Sequence, residues 1–207
     1  VFNDFISRLD ECKRVAINFD LYWDCVDKYL AIKEYWDCYS VKELFGESEY
    51  LAPSIHSDFT LANLVLDREG AIKHIDNDAD PETLLPLHSE ISKMIFSFLH
   101  FINLSDVDDS QFEEKKRFML EKRAEFVFNF RALLAEQDES FKAILGGVDR
   151  FMDTVCKLAA MQHLSDGGYA LLQIINKPSS SKEEVNKIEK RFRRNLDFFE
   201  AVWTGEF

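Results

Sequence analysis

Glycine and proline are scarce in this chain, 7 and 4 in 207 residues, which excludes collagen-like and low-complexity architectures. Basic residues are also few: 25 Lys and Arg stand against 38 Asp and Glu, a formal charge of −13. No stripe of cations is available to neutralise a phosphate backbone, so nucleic acid is not expected as a partner. An acidic surface of this kind keeps a protein soluble, and it is also compatible with a cationic substrate. The four cysteines, Cys12, Cys25, Cys38 and Cys156, form no Cys-x-x-Cys pair, so the usual zinc and thioredoxin spacings are missing. No serine-hydrolase elbow occurs. The longest apolar-leaning run, Met94 to Leu104, is about half the length of a membrane span, and no membrane partner is expected. The sequence opens on no charged-then-apolar stretch, so no secretory leader is expected. These absences together give the expectation of a cytoplasmic protein with reduced thiols.

What is present is ordinary for a globular chain: 46% hydrophobic and 30% charged residues, with 19 phenylalanines whose large apolar rings are core material. Helical spacing of Phe2, Phe5, Ile6, Leu9, Cys12 and Val15 predicts a helix over 2–16. Asp20 is a cap for a second helix through about Tyr39, followed by a helical turn at Val41–Phe45. The sequence Tyr-Trp-Asp-Cys recurs at 22–25 and 35–38, a 13-residue echo that returns to nearly the same helix face and reads as coincidence within buried faces. Pro53 breaks the pattern. Leu64–Leu66 and Ala71–Ile75 are short β-type runs separated by Asp67-Arg68-Glu69-Gly70, a turn signal, so a small hairpin is expected. Beyond Pro81 and Pro86, helices are predicted near 88–103, 110–137, 139–145, 148–164 and 166–176. Ile91, Met94, Ile95, Phe98 and Leu99 line one face of the first of these. Lys177–Ser181 is the clearest linker, and Ser181 with Glu184 forms a capping-box pattern opening a last helix to about Trp203. The fold class expected is mainly α with a small β-hairpin.

The stretch that carries chemistry runs from Ile55 to Asp76. Its skeleton is His56-x-Asp58-x-x-x-x-Asn63, a hairpin, then Ile75-Asp76. Phosphoryl transfer asks little covalent work of a protein; it needs a carboxylate near the attacking hydroxyl and oxygen ligands for Mg²⁺. An Asp on a loop, an Asn five residues later and an Asp after the following hairpin are suited to face one cavity. The competing reading is a polar turn in which Asp58 and Asn63 satisfy local backbone groups.

This stretch resembles the catalytic segment of the aminoglycoside phosphotransferase and choline kinase family, relatives of protein kinases. The resemblance covers about 54–80 at the level of motif, and the flanking helices at the level of architecture. It implies that Asp58 is the catalytic base, that Asn63 and Asp76 hold Mg²⁺ and the ATP phosphates, and that His56 braces the loop. Asp78 and Asp80 become candidates for contact with a cationic or polar substrate. Ser57 stands where the family has glycine, Asn77 where an apolar or aromatic residue is usual, and Glu90 near the place of a later aspartate. The implied fold is the helical C-terminal lobe of a kinase-like fold. Residues 1–50 would precede the catalytic loop, 51–80 would carry the loop and metal-binding hairpin, and 87–207 would form a substrate-side helical subdomain. No Gly-rich loop or strand lysine precedes His56, so the small N-terminal lobe is expected in an upstream part of the same polypeptide, with this chain a fragment that catalyses poorly alone. The implied function is ATP- and Mg²⁺-dependent transfer of a phosphoryl group to a hydroxyl of a small molecule (a sugar, aminoglycoside or choline-like compound). The alternatives are a non-catalytic pseudokinase-type binding or scaffold domain, and an all-helical interaction module with an incidental hairpin.

His74, two residues before Asp76 on the same strand face, reads as a packed histidine, and His88, His100 and His163 as structural. Asp106, Asp108 and Asp109 lack the glycine and distal glutamate of a calcium loop and read as a solvated loop with a helix cap at Asp109 or Ser110.

Overall fold

The computed structural model describes residues 19–46, 59–75, 86–104, 107–176 and 181–205. They are mainly helical, with one two-stranded antiparallel sheet. The elements are α1 (Phe19–Asp37), α2 (Val41–Phe45), a 3-10 turn (Leu61–Asn63), β1 (Leu64–Leu66), β2 (Ile72–His74), α3 (Leu87–Asn103), α4 (Asp109–Ala135), α5 (Glu139–Ile144), α6 (Val148–Asn176) and α7 (Lys182–Trp203). No helix among the described residues is long and apolar enough to cross a membrane. The predicted helix over 2–16 and most of the 177–181 linker lie outside the described residues.

The chain divides into two compact units, one of Val1–Tyr39 with Ala160–Glu206 and the other of Ser40–Ala159 with Phe207. The division falls after Tyr39 and within α6, not at the 177–181 linker.

In the unit that holds the hairpin, α3 is an amphipathic helix of the expected kind. Ile91, Met94, Ile95, Phe98, Leu99 and Ile102 recur at i, i+3, i+4, i+7, i+8 and i+11, and all six are buried. Five of the 19 phenylalanines take part in one run of ring contacts in this unit. Phe98 meets Phe126 with ring centroids 5.8 Å apart, Phe126 stacks on Phe130, and Phe130 approaches Phe151 at 6.4 Å. Phe151 then packs on His88, and His88 on Phe45. The run joins α3, α4, α6 and α2. Helix α4 is capped by Asp108, whose carboxylate accepts from the Gln111 N–H. The cap therefore lies one residue before the expected Asp109 or Ser110, where the carboxylate reaches the third free N–H of the helix.

In the other unit, α7 opens with the reciprocal box anticipated from Ser181 and Glu184 and buries Phe192, Leu196, Phe198, Phe199 and Val202. Asp20 lies inside α1 and is not its cap. Cys38 is exposed in the turn that ends α1, and so does not lie on a buried face. The expected break between 164 and 166 is absent, because α6 runs unbroken to Asn176. The helix passes through Gly167. A Cβ there would stand 3.4 Å from the Asn195 Cβ and 3.5 Å from a Phe192 ring carbon, so the glycine serves a close approach of α7. Beside it, the Asp166 carboxylate accepts from Arg191 at 2.5 Å and from Asn195 at 2.6 Å.

Candidate functional site

Of the residues that the motif singles out, Asn63 is described; His56, Asp58, Asp76, Asp78 and Asp80 lie outside the described residues. Asn63 ends the 3-10 turn, its N–H donating to the Thr60 carbonyl at 3.1 Å, and it is buried despite its polarity. The chain then enters β1, which pairs with β2 in the register Leu64 with His74, Val65 with Lys73 and Leu66 with Ile72. One residue beyond the last pair, the Ile75 N–H donates to the Asn63 carbonyl at 2.9 Å. The hairpin that begins after Asn63 thus returns to Asn63 immediately before Asp76.

The tip is built by Asp67. Its carboxylate accepts from the N–H groups of Glu69 at 3.0 Å and Ala71 at 2.8 Å, and pairs with Lys73 at 2.9 Å. The Lys73 ammonium first, then the Ala71 N–H, hold the Asp67 carboxyl below its ordinary range. Gly70 closes the turn at φ +81, a conformation that a side chain would disfavour.

Two further contacts tie the segment on the Asp58 side. The ring of Phe59 meets His74 edge-on with centroids 5.0 Å apart, which makes His74 a packed residue, as expected. The Leu61 N–H donates to Ser97 Oγ of α3 at 3.0 Å, and that hydroxyl donates to the Met94 carbonyl at 2.7 Å. Sequence reasoning missed Ser97. Its one signal is a hydroxyl standing within the apolar stripe of α3.

On the other side of residues 47–58, α2 is clamped. Ser40 and Glu43 form a capping box, Thr154 Oγ1 donates to the Leu44 carbonyl at 3.2 Å, and Phe45 packs on His88. Gly46, at φ +67, lies against the turn before α6, where an added Cβ would stand 2.3 Å from the Ile144 carbonyl oxygen.

The remaining candidates are structural. His88 is fully buried, and among the described residues neither ring nitrogen has a hydrogen-bond partner; burial pulls its pKa down to about 4. His163 packs on Phe198 and His100 on Phe96. Cys156 lies beside the buried Arg123, and burial raises the thiol to about 11, too high for a nucleophile at neutral pH. Among the described residues no group of three His, Cys, Asp or Glu side chains could hold a metal ion. A metal at this site would therefore draw on Asn63 together with carboxylates beyond the described residues. No family model, curated protein or solved structure matches the chain.

Proposed function

We propose that this chain is the helical, catalytic-loop-bearing lobe of a kinase-like phosphotransferase that transfers the γ-phosphoryl group of ATP to a hydroxyl of a small molecule. One observation carries the reading. Asn63 is buried at the base of a hairpin whose second strand returns to it, with the Ile75 N–H on the Asn63 carbonyl, directly before Asp76. The His-x-Asp-x-x-x-x-Asn and Ile-Asp elements need such a return if their oxygen donors are to serve one site.

A carboxamide from Asn63 and a carboxylate from Asp76 are hard oxygen donors, a set that suits Mg²⁺. When bound, Mg²⁺ and ATP supply the phosphoryl group and the charge neutralisation that its transfer requires. Asp58 orients the acceptor hydroxyl and takes its proton, and His56 braces the loop. Asp78 and Asp80 are the candidates for binding a polar or cationic acceptor, in keeping with the net charge of −13.

The test is transfer from labelled ATP to a panel of sugars, amino sugars and amino alcohols by the full polypeptide. Asp58→Ala should lower turnover by at least about a hundredfold, the usual scale for a positioned general base, with Mg²⁺-dependent nucleotide binding retained. Turnover that survives Asp58→Ala refutes the assignment.

A further inference from the structure

The first donor of the Leu61–Asn63 turn is satisfied from outside it. Thr60 occupies the N-cap position in extended conformation, yet its side chain makes no capping hydrogen bond. The Leu61 N–H would then be one of the orphan donors of a helix start. Ser97 Oγ accepts it at 3.0 Å, from a helix 36 residues further along the chain. Ser97 is 4% exposed, and its hydroxyl proton is already committed to the Met94 carbonyl at 2.7 Å. With that rotor fixed, the oxygen lone pairs are held toward Leu61. Ser97 caps the turn in trans.

A turn this short does not hold itself. Its internal bonds are Asn63 N–H to Thr60 and Leu64 N–H to Leu61, and isolated 3-10 turns have poor hydrogen-bond geometry. Leu61 stands two residues before Asn63, so a bond there fixes the turn that ends at Asn63. We propose that Ser97 is a positioning residue for the Asn63 site, setting the turn so that Asn63 is presented to a divalent cation with nucleotide. This rests on the phosphotransferase reading. Displacements of about 1 Å in a supporting group can cost a hundredfold in function, and loss of an outer-shell partner typically weakens metal affinity by about ten- to a hundredfold.

The test compares the parent chain with Ser97→Ala and Ser97→Thr at a temperature where all three are folded. Two quantities are read: amide hydrogen exchange at Leu61, and affinity for Mn²⁺ in the presence of a non-hydrolysable ATP analogue, by water-proton relaxation. Ser97→Ala should speed exchange at Leu61 and weaken Mn²⁺ binding by about tenfold, and Ser97→Thr, which keeps the hydroxyl, should recover both. Mn²⁺ binding in Ser97→Ala equal to the parent's, or a loss that Ser97→Thr does not recover, overturns the positioning role while the phosphotransferase reading stands. A parent chain that binds no Mn²⁺ with nucleotide overturns that reading, and this proposal with it.

Discussion

The Ile75 N–H donates to the Asn63 carbonyl at 2.9 Å, so the hairpin closes on the backbone of Asn63. Asn63→Ala removes the side chain and keeps the closing bond. The variant should retain its helical circular dichroism and its hairpin amide protection, while Mn²⁺ affinity with nucleotide falls by about tenfold or more. Collapse of hairpin protection would show that the side chain serves the fold.

His88 makes stability depend on pH. Its imidazole is buried against Phe45 and Phe151 and titrates near 4 instead of 6.5, so between these values the unfolded chain binds the proton and the folded chain does not. A depressed histidine pKa leaves stability intact above about pH 6.5 and removes it as pH falls toward 4. Urea denaturation should show a loss on the order of 2 kcal/mol from this group between about pH 7 and pH 5. His88→Phe should flatten that part of the profile. An equally steep profile in the variant would contradict the assignment.

Two glycines of similar φ should respond differently to alanine. Gly46 and Gly70 have φ of +67 and +81, but a Cβ on Gly46 meets the Ile144 carbonyl oxygen at 2.3 Å, while one on Gly70 meets nothing within 4 Å. Gly70→Ala should cost about 1 kcal/mol, from conformation alone. Gly46→Ala adds overpacking and should cost about 3 kcal/mol or more. Thermal melts that rank the two equally would remove the role given to the Gly46 contact.

The Asp166 carboxylate holds Arg191 and the fully buried Asn195. Asp166→Ala removes the acceptor that both share and should destabilise its unit by about 2 kcal/mol, the scale of hydrogen bonds to a charged group. Asp166→Asn, which keeps an acceptor oxygen, should cost less. Equal losses in the two variants would mean that charge, not hydrogen bonding, sets the cost.

What could be read from the sequence was what is local in it. The apolar repeat of α3, the Ser181–Glu184 box and the Asp67–Gly70 turn each lie within a few residues, and each forms where its pattern says. The Asp108 cap was missed because Asp108, Asp109 and Ser110 are all competent caps, and only the placement of the Gln111 N–H selects among them. The continuity of α6 past 165 was not legible, and neither was the close approach of Phe192 and Asn195 at Gly167, which lie far along the chain. The hairpin of Leu64–Leu66 and Ile72–His74 was legible because its two short runs and the turn between them are adjacent in the chain. Ser97 was not, since its partner Leu61 is 36 residues away and no spacing rule connects them.

The most direct test is paramagnetic broadening of amide signals by Mn²⁺ with a non-hydrolysable ATP analogue, which registers even weak binding by the chain. Selective broadening is expected at Asn63, Leu64 and Ile75, with its disappearance in Asp76→Ala. Broadening that is absent, uniform, or indifferent to Asp76→Ala would contradict the phosphotransferase reading.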